Sequence, residues 1–221
     1  MLKRTLSFLL ALSLSLTFLT GILWILGTHT PLMLSMLRRH APPEKTWLPE
    51  KDYPGVAQMI TGYLRGEIEE FQYVYAEGEG EYLAFQAHEQ QHMADCLMLF
   101  RLDRIVLLCS GALALVLTAL LWRRRREKGV FGAFMTGLGS LVVLAAVLGI
   151  WGLVDFDSLF VLFHEVSFAN DLWILNPYTD LLLCLMPLSF FIHYASLLIL
   201  SWLGLLGLTG AAAWLIHRQS R

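Results

Sequence analysis

Apolar residues in this chain are concentrated in four long runs, separated by two longer polar segments and one short basic turn. The runs are Leu6–Leu26, Ile105–Trp122, Val130–Leu153 and a stretch within Phe190–Ile216. Each has close to the ~20 residues that a helix needs to cross a bilayer. None shows the short alternating pattern of a membrane barrel strand. The pattern therefore predicts an all-α membrane protein with four transmembrane helices, each of which satisfies its own backbone hydrogen bonds.

Composition supports a membrane protein and excludes a soluble domain organisation. Hydrophobic residues make up 57% of the 221 positions, against ~45–50% in ordinary soluble domains. The first run resembles a signal peptide in its basic start and apolar centre. Its length, and the sequence GTHTPLML that follows it, favour a retained anchor instead. The three cysteines predict no disulfide framework, although Cys96 and Cys184 could pair.

Basic residues predict the orientation of the helices. They lie before the first run, after the second and after the fourth: Lys3, Arg4, Arg123–Arg126, Lys128, Arg218 and Arg221. The positive-inside rule places these positions, and therefore both termini, in the cytoplasm. The inner side then has nine basic residues and one acidic residue, and the outer side has seven basic and seventeen acidic residues. The arginine run thus indicates topology and not nucleic-acid binding.

The chain divides into seven predicted segments on this basis. They are a first transmembrane helix (1–26), an extracytoplasmic cap ending in a helix (27–104), a second transmembrane helix (105–122), a cytoplasmic turn (123–129), a third transmembrane helix (130–153), an extracytoplasmic signature loop with an interfacial helix (154–189), and a fourth transmembrane helix with a cytoplasmic tail (190–221). Within the cap, residue spacing predicts a helix over Val56–Arg65 and a hairpin turn at Glu77–Glu81. The segment Leu83–Asp103 is predicted to run as one helix into the second span. Pro187 is predicted to break a short helix before the fourth span.

The outer segment Phe163–Asp180, with the sequence FHEVSFANDLWILNPYTD, has an unusual density of polar side chains among aromatic ones. A plain connector would hold Gly, Ser and Lys instead. The polar and indole side chains available there are His164, Glu165, Asn170, Asp171, Trp173, Asn176 and Asp180. Because the segment lies between two apolar runs, it predicts chemistry on a lipid-bound substrate at a membrane surface.

The sequence HEQQH at His88–His92 matches the HExxH motif of zinc peptidases. In such enzymes both histidines bind the metal and the glutamate is the general base. Asp95, His164 or Glu165 would have to supply a third ligand here, and none stands at a typical spacing.

A different interpretation uses His92 without His88. His92, Asp95 and Cys96 share one face of a helix at spacings of three and four residues. Asp95 could orient His92 as a base, or the cluster could simply cap the helix or pair charges at the membrane surface.

Two stretches resemble a known family. HMADC (His92–Cys96), preceded by Phe85 and Glu89, is similar to an element of the form F-x-x-x-E-x-x-H-M-x-D-V. Phe163–Phe191 is similar to a second signature that carries F-H, F-x-N, W-x-L, P-x-x-D and P-x-x-F-F. Together with the four spans, these stretches resemble lipoprotein intramolecular transacylase (Lit). Cys96 departs from the pattern, which has valine there, and His88 stands where a charged residue is expected.

The resemblance implies an acyltransferase of the bacterial cell membrane that takes part in lipoprotein biogenesis in the cell envelope. Its substrate would be a diacylglyceryl lipoprotein, whose sn-2 acyl chain moves from the glycerol oxygen to the α-amine of the N-terminal cysteine and leaves a lyso-lipoprotein. Because the nucleophile belongs to the substrate, the enzyme needs no catalytic Ser or Cys and no cofactor. The expected partners are such lipoproteins and membrane lipids, with no nucleic acid.

The resemblance also suggests roles for individual residues. His164 is expected to act as general base and His92 as proton donor, although the two roles could be exchanged. Asp95 and Asp180 would orient the histidines. Asn170 and Trp173 would stabilise the oxyanion or position the glycerol. A supporting role falls to Glu89.

Two other classes of function remain open at this point. The first is a membrane zinc metallopeptidase using the HEQQH sequence. The second is a non-enzymatic membrane adaptor with an acidic outer cap, whose function would tolerate substitution of any histidine.

Overall fold

The structure, a computed structural model, describes residues 1–125 and 127–219. Arg126 and Arg221, which contribute to the predicted orientation, lie outside the described residues. The elements are α1 (Leu2–Thr28), α2 (Thr30–His40), α3 (Tyr53–Arg65), β1 (Val74–Glu77), β2 (Gly80–Leu83), α4 (Ala87–Leu121), α5 (Lys128–Val154), α6 (Phe156–Ser167), α7 (Leu181–Leu185) and α8 (Leu188–Arg218). The fold is therefore mostly helical, as predicted.

Four helices are long and apolar enough to cross a membrane. They are α1, α4 with the single 3-10 turn that follows it, α5 and α8. This confirms the number of predicted spans. The chain separates into two compact units, one of Met1–Leu23, Asp103–Val154 and Ser196–Arg221, the other of Trp24–Leu102 and Asp155–Ala195.

The first unit is helical, and polar side chains join its helices. Ser7 Oγ donates to the Val130 carbonyl oxygen at 2.7 Å, and Trp202 Nε1 donates to the Ser15 carbonyl oxygen at 3.0 Å. A Cβ on Gly137 would lie 2.7 Å from Ala11 Cβ, so this glycine lets α5 approach α1 closely. Many apolar side chains of the unit stay exposed, which is the condition expected of helices surrounded by lipid.

The second unit has its own hydrophobic core, which α2, α3, the β1–β2 hairpin and α7 share with the beginnings of α4 and α8. Tyr53, Phe71, Phe85 and Phe190 are among the largest side chains that it buries completely. The strands are antiparallel and pair Val74 with Leu83. This core is the scaffold on which the polar residues of the candidate site are held.

Several local predictions for the second unit are confirmed. The helix expected over Val56–Arg65 is α3, which ends at Gly66 in the left-handed conformation (φ 77°) that favours glycine at this position. The hairpin turns at the predicted place, and Gly78 there has a φ of 62°. The chain breaks at Pro187 between α7 and α8. The cysteines are free thiols, so Cys96 and Cys184 do not pair.

Two helices of the second unit were not predicted. α2 lies in a part of the predicted cap for which no helix was predicted, and α6 lies in the part of residues 154–189 that was expected to be the signature loop. Both begin with a recognisable cap. His29 Nδ1 accepts from the Leu32 N–H at 3.3 Å, and Asp155 Oδ1 accepts from the Ser158 N–H at 3.0 Å. An Asp before an apolar helical period is a known start signal and could have identified α6.

Candidate active site

The two predicted histidines come together within the second unit. His92 lies in the second turn of α4, and His164 lies near the end of α6. Their ring centroids are 6.1 Å apart with an interplanar angle of 29°. His92 is only 7% exposed and His164 only 6%. Because buried polar groups need hydrogen-bond partners, each ring nitrogen of the two histidines has to be accounted for.

His164 has one nitrogen fixed by its own helix. Its Nδ1 lies 2.7 Å from the carbonyl oxygen of Phe160, one helical turn earlier. Because a carbonyl oxygen can only accept, Nδ1 carries the proton and donates it. In the neutral ring Nε2 then keeps its lone pair. The orientation of this histidine as a proton acceptor at Nε2 follows from this single bond.

Aromatic rings surround His164 and keep it neutral. Phe160 and Trp173 have ring centroids at 4.2 and 4.9 Å from the imidazole, and Phe168 lies at 5.6 Å. Burial lowers the pKa of His164 below its usual value, although the bond to the Phe160 carbonyl opposes this effect. The imidazole therefore remains unprotonated at neutral pH and is available as a base.

His92 has a different set of contacts. Its Nε2 lies 3.6 Å from Cys96 Sγ, and Phe168 meets its ring edge-on at 5.1 Å. Its Nδ1 is buried and has no hydrogen-bond partner among the described residues. A buried polar atom without a partner destabilises the protein unless a ligand or water satisfies it. The Nδ1 atom of His92 is thus the natural contact for a bound group.

The loop after α6 is fastened to α4 beside the histidines. Asn170 Nδ2 donates to Asp95 Oδ2 at 2.9 Å, and Asn170 Oδ1 accepts from the Leu172 N–H at 3.1 Å. These bonds hold the start of the loop in a tight turn, three residues before Trp173. The amide of Asn170 therefore positions the chain that carries the indole against His164.

A cavity of about 420 Å³ lies in this loop. Its lining residues are Glu165, Phe168, Ala169, Asn170, Asp171, Trp173 and Ile174. Phe168 and Trp173 form part of the lining and also contact the histidine rings. Phe168 and Trp173 are therefore common to this open pocket and to the surroundings of the histidine pair.

Asp180 does not orient either of the paired histidines, contrary to expectation. It accepts from the Asn176 N–H at 2.8 Å and from Thr179 Oγ1 at 2.8 Å, and it pairs with His88 Nε2 at 2.9 Å. Burial alone would raise the pKa of Asp180, but these hydrogen bonds outweigh burial and lower it. Asp95 likewise bonds to Asn170 and not to His92.

Glu89 is a structural carboxylate. It is completely buried, and its two oxygens accept from the N–H groups of Gln86 and Leu182, both at 2.7 Å. The first bond closes the N-terminus of α4 in the manner of a capping box, and the second reaches the first turn of α7. One side chain thus satisfies an orphan donor at the start of two helices.

These contacts differ from those expected of a zinc peptidase at His88–His92. Both oxygens of Glu89 accept hydrogen bonds from backbone donors, so the carboxylate joins two helices. His88 is turned toward Asp180. Over residues 1–125 and 127–219, no three His, Cys, Asp or Glu side chains are grouped to hold a metal ion.

Two features of the site were missed at the level of sequence. The Phe160 carbonyl and the Phe168 ring were not assigned to it, because the residues that form α6 were treated as part of the signature loop. Once α6 is recognised, the four-residue spacing of Phe160 and His164 indicates the bond between them.

Comparison with known proteins gives a consistent result. The family described as lipoprotein intramolecular transacylase Lit matches residues 8–191. The chain is also similar to solved structures of Lit from Bacillus cereus. One has a TM-score of 0.76 at 17% identity and covers 99% of this chain and 95% of that chain. Another, of a variant with a histidine changed to arginine, has a TM-score of 0.75 at 17% identity and covers 100% and 95%. No curated protein matches the chain.

Proposed function

Because the chain belongs to the lipoprotein intramolecular transacylase family, we propose that it moves the sn-2 acyl chain of a diacylglyceryl lipoprotein to the α-amine of the N-terminal cysteine. The amine nitrogen bonds to the ester carbonyl carbon, and the bond from that carbon to the glycerol oxygen breaks. The amine loses a proton and the glycerol oxygen gains one. The product is a lyso-form lipoprotein, and the balance requires no cofactor.

The arrangement of His164 carries this proposal. Its Nδ1 hydrogen is committed to the Phe160 carbonyl, so its Nε2 is a free acceptor for the amine proton. An α-ammonium group has a pKa of about 7.7–8.0, so a fraction of the substrate is already the free amine at neutral pH. This amine attacks with its lone pair, and the buried neutral imidazole takes up the proton that the nitrogen loses as the new bond forms. Positioned proton transfer of this kind contributes about 10²–10⁴-fold to a rate.

The glycerol oxygen gains the proton that His164 took from the amine, and His92 donates a hydrogen bond at that end of the reaction. In the neutral ring, donation from the buried Nδ1 leaves Nε2 unprotonated. The Cys96 thiol 3.6 Å away can then donate to Nε2 and stabilise that tautomer. The Nδ1 hydrogen is directed at the ester or the leaving glycerol oxygen, which gives the buried nitrogen the partner that it otherwise lacks.

The remaining residues hold the reacting groups in one conformation. Attack closes a ring of about eight atoms, so restricting the substrate can provide a large part of the catalysis. Asp95 and Asn170 fix the loop beside His164, and Trp173 contributes an indole surface at the substrate ester. Glu89 supports the site by joining the starts of α4 and α7. Asp180 supports it by holding the loop that precedes α7.

We place the site on the extracytoplasmic face of a multi-pass bacterial membrane protein, with both termini in the cytoplasm. The distribution of charge supports this arrangement. A substrate anchored by its acyl chains presents its ester near the headgroups, and that is where the two signature stretches are expected. Membrane lipids and diacylglyceryl lipoproteins are then the direct partners.

Mass spectrometry of a lipoprotein N-terminal peptide tests the proposal. The peptide is isolated from cells that lack an N-acyltransferase and that do or do not express this chain. We expect one acyl chain to move from the glycerol to the α-amine with no change in total mass. A diacylglyceryl peptide that keeps its free amine, despite confirmed expression, would refute the proposal.

A further inference from the structure

A second histidine pair lies outside the candidate active site, where the end of α2 meets the start of α8. His40 Nε2 is 3.1 Å from His193 Nδ1, and the two rings have centroids 5.3 Å apart at an angle of 70°. Ser189 Oγ lies 3.1 Å from the other nitrogen of His40, Nδ1. Two imidazoles and a hydroxyl therefore form one line of hydrogen bonds.

The donor and acceptor properties of imidazole determine where the hydrogens lie along this line of hydrogen bonds. Two imidazole nitrogens at hydrogen-bond distance share a single hydrogen, so one of them presents a lone pair to the other. When His40 donates its Nδ1 hydrogen to Ser189, its Nε2 lone pair faces His193. A cation that replaces the one shared hydrogen can bind a lone pair from each ring, at a point beside the line that joins the two nitrogens.

The spacing of the two nitrogens suits a metal ion. Imidazole nitrogens bind Zn²⁺ at about 2.0–2.1 Å, so two ligands at octahedral to tetrahedral angles lie about 2.9–3.4 Å apart. The observed 3.1 Å falls within that range. Ser189 would hold His40 from the far side, as hydrogen-bond acceptors commonly do for metal-binding histidines.

Metal binding requires an unprotonated nitrogen on each ring. Only the unprotonated imidazole binds metal, so the ion would displace the hydrogen that His40 and His193 share. Both residues are partly exposed. Since no third His, Cys, Asp or Glu joins them within the described residues, water would complete the coordination.

We propose that His40 Nε2 and His193 Nδ1 form a two-ligand site for a divalent transition-metal ion that prefers nitrogen, such as Zn²⁺ or Cu²⁺. The ion links α2 to α8 across 153 residues of sequence. Because the unfolded chain does not hold these two residues together, binding stabilises the folded state by mass action. The site is independent of the transacylation proposed above and distinct from the HEQQH sequence.

Thermal unfolding of the purified full-length protein in detergent, after treatment with a chelator, tests the site. We expect the Tm to rise with added Zn²⁺ in the wild type and to stay constant in both His40→Gln and His193→Gln. His88→Gln is the matched control. It removes a histidine from the HEQQH sequence and should keep the full rise.

Three results of this experiment would each overturn the proposal. They are absence of a Zn²⁺ effect on the Tm of the wild type, a rise in Tm that survives both His40→Gln and His193→Gln, and loss of the rise in His88→Gln. Electron paramagnetic resonance of the wild-type protein with one equivalent of Cu²⁺ gives a second measurement that does not rely on variants that fold. A splitting pattern from two imidazole nitrogens supports the site, and a pattern from one or none refutes it.

Discussion

The two histidine pairs of the second unit differ in burial and in what lies between their rings. His40 and His193 are partly exposed and bond directly to each other through nitrogens 3.1 Å apart. His92 and His164 are buried, and their centroids are 6.1 Å apart in a nearly parallel arrangement. The facing nitrogens of the first pair share one hydrogen, whereas His92 Nδ1 of the second pair has no hydrogen-bond partner among the described residues. Residue type alone thus does not identify a reactive site. The atoms that lack hydrogen-bond partners are the better indication.

The largest effect should come from removing the acceptor in the buried pair. We expect His164→Ala to reduce transacylation at least about 100-fold, because the base is lost, while His40→Ala leaves activity unchanged. Conversion of lipoprotein N-terminal peptides by mass spectrometry measures both. Near wild-type activity of His164→Ala would remove this residue from the mechanism, and His92→Ala should behave like His164→Ala.

A strong effect on stability should follow substitution of Glu89. Glu89→Ala leaves the Gln86 and Leu182 N–H groups without acceptors, and each orphaned donor costs about 1–3 kcal/mol. Glu89→Gln keeps one acceptor and should lose roughly half as much. The Tm of the purified proteins checks this order. If Glu89→Gln kept full stability but abolished activity, the carboxylate would have a chemical role instead.

A moderate effect on activity is expected at Asn170. Asn170→Ala breaks the bond to Asp95, and Asn170→Asp places a second carboxylate against it. We expect about a three- to tenfold loss in the first variant and a larger loss in the second, because a hydrogen bond to a charged group is replaced by repulsion. Equal activity of the two variants would show that Asp95 does not act through this contact.

Acidification should destabilise the buried pair through His164. Its pKa in the folded protein is lowered from the unfolded value of 6.5. The stabilisation is therefore complete above about pH 6.5 and is lost as the pH falls toward the folded pKa. The Tm of the wild type should fall over this interval more steeply than that of His164→Phe. Parallel curves for the two proteins would contradict the assignment.

The smallest effect is expected at the exposed end of the HEQQH sequence. His88→Ala breaks the pair with Asp180, but Asp180 keeps its bonds from Asn176 and Thr179. Partly exposed pairs contribute about 0–1 kcal/mol, so stability should change little and transacylation should persist. A lost activity in His88→Ala with an unchanged Tm would restore a chemical role for this histidine.

The sequence predicted those parts of the molecule that depend on local pattern. The four spans follow from apolar length, and α3 and the hairpin follow from spacing and glycine. The partners of Glu89 and Asp180 could not be predicted, because they depend on how α7 and the loop pack against α4 some 92 residues away. The same limit explains why Asp180 was expected beside the wrong histidine. The spacing of Phe160 and His164 was readable, but only once α6 was known to be a helix.

The bond from His164 Nδ1 to the Phe160 carbonyl lies entirely within one turn of α6. Which nitrogen of the imidazole accepts a proton is therefore determined by the five residues Phe160–His164 and not by contacts with the rest of the protein. Insertions in the neighbouring loop, or drift in the side chains around it, can change where the ring sits without changing which nitrogen accepts a proton. A tautomer that is determined so locally can be retained while the rest of the sequence diverges.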